Sequence, residues 1–246
     1  MKRFFHAFVM CQSMFCAIPC PVQLWDEDAR DLMLPMLPLV GLEIGALWFG
    51  LGWLTGLLGL PVLLRALVLS LFPFLATGFL HLDGFMDVTD AVKSCRDLAR
   101  RREILKDSHV GSFAVIGVCM LLLSQFAVFA SIPNDKNCLI LLLIPAVSRC
   151  GSALAVTALP SMSTSQYAAQ KKPTSHLVVL SVMLSLFVAL GFVFCGGQGF
   201  ALIGCILGYG LALRHGYRSL EGMNGDIAGY ALTVGELCGA SVFALL

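Results

Sequence analysis

The stretch TSHLVVLSVMLSLFVALGFVFCGGQGFALIGCILGYGLAL, Thr174 to Leu213, runs for 40 residues without an Asp, Glu, Lys or Arg. A helix needs roughly 20 apolar residues to cross the hydrocarbon core of a bilayer, so this stretch is too long for one crossing and long enough for two. Gly196-Gly197-Gln198-Gly199 interrupts it past its middle, and glycine clusters are where a chain turns. Two membrane helices joined by a short turn are the natural reading. A membrane barrel does not fit, because its strands alternate apolar and polar positions and this run does not.

Composition carries the same reading to the whole chain. Apolar residues make up 58% of the 246, mean hydropathy is +0.87 and only 13% are charged, values well outside the soluble range. Apolar segments fall at about 36–58, 60–82, 110–132, 137–159, 176–195, 198–213 and 228–246. The fold class is therefore all-α, a single polytopic membrane domain over residues 1–246 with about seven transmembrane helices. Lys2 and Arg3 precede an apolar run from Phe4 to Ile18 that His6 and Gln12 interrupt, with no small-x-small cleavage site after it. That pattern predicts an amphipathic or interfacial helix ending at Pro19 and Pro21, not a cleaved leader. The ten cysteines are scattered, with no C-x-x-C pair, and read as small apolar packing residues.

Charge placement sets the expected orientation. With the N-terminus inside, the cytoplasmic segments hold Lys2, Arg3, Arg30, Lys93, Arg96, Arg100, Arg101, Arg102, Lys106, Lys171, Lys172, Arg214 and Arg218. The opposite loops hold only Lys136, and Arg65 and Arg149 fall in or at the ends of spans. Such asymmetry is the positive-inside pattern. The sizeable polar segments, 22–31, 83–109, 160–175 and 214–227, all fall on that side, so an aqueous site built from about 83–109 and 214–227 is expected at the cytoplasmic face of a cell (inner) membrane.

Within those segments the stretch LHLDGFMDVTDA, Leu80 to Ala91, carries Asp83, Asp87 and Asp90. In a helix continuing from the second span, spacings of four and three put the three carboxylates on one face. Stacked like charges repel by a few tenths of a kcal/mol per pair, and a divalent cation is the simplest compensation. Oxygen-only ligands favour magnesium, or manganese, over zinc. The plainer alternative is a solvated helix start, where Asp caps and suits the dipole. Asp226, after Gly225, is expected on the same face as the strip. Lys106 and Ser108, ahead of Gly111, could offer a phosphate an ammonium, a hydroxyl and backbone N–H groups. The arginine run before them is explained by topology. Glu236 and Arg149 are costly inside a span; Glu236 is a candidate site residue, and the plain reading of Arg149 is an ion pair with a buried carboxylate. His81 has no paired histidine and reads first as an interfacial residue. Glu43, in the first span, stays open as a further partner for a buried cation.

Taken together these stretches resemble a family. LHLDGFMDVTDA is similar to the L-H-x-D-G-x-x-D-x-x-D-G signature of the cobalamin synthases, the membrane-bound adenosylcobinamide-GDP ribazoletransferases. IPCP at 18–21, LPLVGLEIG at 37–45, ILKDSHVGSF at 104–113, AVSR at 146–149 and NGDIAG at 224–229 fit in the same order. The chain departs from the family pattern at Cys16-Ala17, which stand for Thr-Arg, at Ala91 for Gly, at His109 for Arg, and at Thr233 for an acidic residue.

The resemblance implies the closing step of cobalamin's nucleotide loop: adenosylcobinamide-GDP plus α-ribazole, or its 5′-phosphate, giving the cobalamin product and GMP. It implies Mg²⁺ as cofactor, with Mn²⁺ an option, held by Asp83, Asp87, Asp90 and Asp226. Asp90, Lys106 and Arg149 are the expected catalytic groups. His81, Asp107, Ser108, Gly111, Asn224, Gly225 and Glu236 are expected to contact substrate. The partners are those two substrates and the lipid bilayer, with no nucleic acid, and self-association is left open. Two other functions compete on composition alone. One is another magnesium-dependent membrane diphosphate transferase of the prenyltransferase kind, although a second aspartate-rich motif is missing. The other is a cation transporter whose path would be lined by Glu43, Asp83, Asp226 and Glu236.

Overall fold

A computed structural model describes residues 2–162 and 173–246; Lys171 and Lys172, counted above for orientation, and most of the polar segment 160–175 lie outside them. The described residues form ten α-helices and no strands, with one isolated bridge between Ser161 and Met223. The all-α reading holds.

The amphipathic N-terminal helix is α1, Lys2–Phe15, ending four residues before the first of the two prolines. It lies along α2, Met33–Leu57, burying Ala7, Met10 and Cys11. Polar pairs on its other positions fix it: Arg3 to Asp31 at 3.0 Å, His6 to Asp26 at 2.6 Å, and Gln12 donating to Glu43 at 3.2 Å. Asp26 also accepts from the Asp28 N–H and so caps a short 3₁₀ turn, Glu27–Leu32, that leads into α2.

The second apolar segment departs from expectation. It is not one span continuing into the aspartate strip. α3, Val62–Ala76, ends and α4, Leu80–Lys93, begins after a break, with an 88° bend between them. Gly78 and Phe79 both take left-handed backbone there, φ 56° and 64°, a conformation that costs a non-glycine residue roughly 1–2 kcal/mol. The Thr77 hydroxyl donates to the Pro73 carbonyl, and the Ala17 N–H, from the α1–α2 link, donates to the Ala76 carbonyl at 2.8 Å. These bonds take up carbonyls that the interrupted helix leaves free.

After α5, Leu98–Ile104, come α6, Ser112–Ala130, and α7, Ile144–Ala158. The opening 40-residue run divides as expected at Gly196, φ 56°, into α8, Thr174–Cys195, and α9, Phe200–Leu220. α10, Gly225–Leu245, closes the fold. Among the described residues five stretches are long and apolar enough to cross a membrane, or six if the bent α3–α4 pair is one crossing. One of the five, Thr174–Leu220, holds both α8 and α9, so the expected figure of about seven differs mainly by counting that stretch twice. This is a multi-pass membrane protein.

α7 and α10 form the centre. α10 packs most extensively on α9 and α4, and α7 on α2. α6, α8 and α9 present Leu123, Val193, Phe194, Leu207 and Leu211 outward, the surface a bilayer would cover. One end of the bundle is closed by Arg65, buried and donating to the Pro133 carbonyl, and by Lys136, donating to the Phe243 carbonyl. At the other end residues 102–106, 161–162 and 221–226 surround a cavity.

Candidate active site

α4 reaches the site because it can lie almost backbone to backbone on α10. A Cβ added at Gly84 would stand 2.9 Å from the Asp226 Cα, and one at Gly229 would stand 3.2 Å from the His81 Cα. Phe85 stacks on Tyr230 at 5.5 Å, and the Thr233 hydroxyl donates to the His81 carbonyl at 3.3 Å. Thr233, where the family pattern has an acidic residue, thus ties α10 to α4.

The same contact gathers the carboxylates. Asp83, Asp87 and Asp90 share one face of α4, and Asp87 lies within electrostatic reach of Asp83, Asp90 and Asp226. None of the four makes an ion pair among the described residues. Asp226 is held in place by Asn224, whose Nδ2 donates to its Oδ2 at 2.6 Å while its Oδ1 accepts from the Ile227 N–H and caps α10. Asp90 points the other way along the strip. Its carboxylate packs directly on Gly111, so a side chain at 111 would have to displace it.

Among the described residues no group of three or more His, Cys, Asp or Glu side chains closes into a metal-sized cage. Magnesium seldom uses such a cage. It keeps several waters and binds through one or two carboxylates together with substrate phosphates. Four uncompensated carboxylates along the α4–α10 contact fit that mode, in which the cage is completed by substrate.

The cavity at this end, about 680 Å³, is lined by Asp226, Asn224, Lys106, Arg102 and Glu221 among others. Lys106 is exposed, so its ammonium is available to an anion. Arg102 has a second role that the sequence did not disclose: its Nε and Nη2 donate to the Leu220 and Glu221 carbonyls at 3.0 and 2.8 Å, and Arg101 donates to the Ser219 carbonyl. Part of the arginine run therefore fastens α5 to the C-terminal end of α9, where cations suit the helix dipole. The cavity floor is held by paired backbone: the Met162 N–H donates to the Met223 carbonyl and the Met223 N–H to the Pro160 carbonyl, both at 2.9 Å.

Other expected residues are placed as follows. Asp107, Ser108 and His109 are exposed on the turn into α6. His109, standing for the family's Arg, contacts Asp107 at 2.7 Å, and hydrogen bonds from its ring and backbone N–H hold the Asp107 carboxyl below the usual carboxylate range. Gly225 is exposed at the start of α10. Arg149 and Glu236 are elsewhere. Arg149 is 0% exposed and Glu236 6%; Arg149 Nη1 and the Ser148 hydroxyl both donate to Glu236 Oε1 at 2.8 Å. Neither residue lines the cavity. The pair joins α7 to α10 beneath the site, the plain reading of Arg149. Of the residues named for a transporter path, Glu236 pairs with Arg149 and Glu43 accepts from Gln12.

A second cavity, about 220 Å³, lies between α1, α2, α4, α7 and α10 and shares Asp226 with the first. His81 lines it, and only the α4–α10 packing, not the sequence pattern, reveals that this ring faces a cavity.

Asp226 and Lys106 on one cavity at the end of a bundle of apolar helices, with the Asp83, Asp87 and Asp90 face of α4 beside Asp226, suit one class: a membrane-embedded transferase. Its family follows from comparison with known proteins. The chain belongs to the cobalamin-5-phosphate synthase family, whose model matches residues 7–244. It is similar to the adenosylcobinamide-GDP ribazoletransferase of Clostridium perfringens (strain 13 / Type A), 36% identical over 251 residues that cover 100% of both chains. It is also similar to the proteins of that name from Clostridium botulinum (strain Alaska E43 / Type E3), 36% identical over 97% of each chain, and Clostridioides difficile (strain 630), 27% identical over 96% of this chain and 95% of the relative. No solved structure matches the chain.

Proposed function

We propose that the chain transfers the adenosylcobinamide phosphate group of adenosylcobinamide-GDP to α-ribazole or α-ribazole 5′-phosphate, releasing GMP. Family membership supplies the substrates. The observation that carries the reading in this molecule is the set of four carboxylates along α4 and α10 that make no ion pair among the described residues, with Asp226 and Lys106 lining one cavity.

The ribazole 3′-hydroxyl oxygen forms a bond to the phosphorus that bears cobinamide. The bond from that phosphorus to the bridging oxygen breaks, and GMP leaves with the electron pair. Lys106 draws the diphosphate into the cavity and offsets charge as the bridging oxygen becomes a leaving group. Asp90, whose carboxylate packs against Gly111, would accept the hydroxyl proton. Asp83, Asp87 and Asp226 would hold magnesium, which when bound neutralises charge on the phosphoryl oxygens. Asn224 keeps Asp226 aimed at the cavity. Arg149 acts at one remove, holding α7 to α10 through Glu236. The distribution of Lys and Arg supports a cytoplasmic N-terminus and a cytoplasmic site.

The test is GMP release by the full-length protein in detergent with magnesium. Release from adenosylcobinamide-GDP is expected only when α-ribazole or its 5′-phosphate is added. Release at the same rate without an acceptor, or none with either acceptor, would contradict the transfer.

A further inference from the structure

The two cavities that meet at Asp226 differ in chemistry. The wide one is lined mainly by polar and charged side chains. The narrow one is walled by Phe15, Leu34, Leu37 and Val156, with His81, Ser152 and the shared Asp226 as polar points among them. His81 Nε2 is shielded from water and has no hydrogen-bond partner among the described residues, while the Ser152 and Tyr209 hydroxyls face each other without a well-formed bond. A buried polar atom left without a partner costs free energy, and a cavity that keeps one is suited to a ligand that supplies the missing partner.

We infer that the narrow cavity receives the heteroaromatic base of the acceptor nucleoside, with His81 Nε2–H donating to the ring nitrogen not attached to ribose. This deepens the function proposed above and rests on it. The dimethylbenzimidazole of α-ribazole is a flat hydrocarbon surface with one free acceptor nitrogen. It matches mostly apolar walls that carry few polar points. A corrin macrocycle exceeds about 220 Å³. Guanine would bring several donors and acceptors to walls that are mostly apolar, and a diphosphate would meet no cation there. An acyl chain would fill the walls but leave His81 Nε2 without a partner. Seating the base in this cavity directs the attached ribose toward Asp226, the residue the two cavities share.

The experiment uses the full-length protein in detergent with magnesium and saturating adenosylcobinamide-GDP, reading GMP release as the acceptor is varied. Val156→Trp, which fills the cavity, is expected to raise the acceptor KM about tenfold or more and to change the donor KM less than twofold. His81→Phe is expected to lower kcat/KM for α-ribazole about tenfold, the worth of one hydrogen bond at such a site, and to leave kcat/KM unchanged for the α-riboside of phenol, which has no ring nitrogen. A photoreactive azidobenzimidazole riboside, used on the unsubstituted protein, is expected to label peptides containing Phe15, Leu34 to Leu37, or Val156. A rise in donor KM with Val156→Trp, equal losses for both acceptors with His81→Phe, or labelling confined to other peptides would each overturn the assignment. If the unsubstituted protein releases GMP normally while these tests fail, only the base site is wrong. If it releases none, the reaction falls and the base site with it.

Discussion

Asp90 and Gly111 form a contact in which one residue's side chain occupies the space another's would need. Gly111→Ala is expected to push the Asp90 carboxylate aside and lower kcat by roughly 10–100-fold, as small misplacements of a reacting group do, with little change in melting temperature; unchanged kcat would remove Asp90 from the proton transfer. The Arg149–Glu236 pair should behave oppositely. Glu236→Leu leaves a buried guanidinium without its carboxylate and is expected to cost about 3–5 kcal/mol in a reversible unfolding titration. Adding Arg149→Met should recover most of that loss, because an apolar pair can replace a buried ion pair. No recovery of stability would mean that Arg149 does more than hold α7 to α10. The carboxylate spacing of Asp83, Asp87 and Asp90 was legible in the sequence, because helical periodicity alone puts them on one face. The pairing of Arg149 with Glu236 was legible only as a class of partner, since residues 87 apart in the chain meet through packing that no local pattern encodes.

Helices and their ends were readable where composition speaks locally. The glycine cluster at Gly196 divides α8 from α9. The break between α3 and α4 was not readable, because Thr77-Gly78-Phe79 holds a single glycine within an apolar run and Phe79 adopts left-handed backbone against its own preference. The bend matters, since it lays α4 on α10 instead of extending α3. Gly84 is the point of closest approach, and Gly84→Val is expected to force the two helices apart. The expected cost is about 1–3 kcal/mol of overpacking, seen as a lower melting temperature, together with lost activity; a variant of full stability and full activity would show that the close contact is dispensable. Arg101 and Arg102 show why some roles escape sequence reading: the positive-inside pattern already explained them, so nothing pointed to the α9 carbonyls they hold.

At the scale of the whole molecule, residues far apart in the chain supply one site: α4 and α10 bring carboxylates, the segment after α5 brings Lys106, and the paired backbone at 160–162 and 222–223 closes the floor. The membrane class, the helical fold and the polar end of the bundle follow from apolar length and charge. The narrow cavity does not, because five helices contribute to its walls and each lining residue alone reads as core. The central claim is that the carboxylates on this contact hold the ion that makes transfer from a diphosphate feasible. Its most direct test is adenosylcobalamin formation from adenosylcobinamide-GDP and α-ribazole across a magnesium titration, comparing the unsubstituted protein with Asp83→Asn and Asp87→Asn. Each variant is expected to fold, to lose activity by about 100-fold or more at limiting magnesium, as removal of a strong charge-stabilising group does, and to need more magnesium for what remains. Full activity in both variants at limiting magnesium would contradict it.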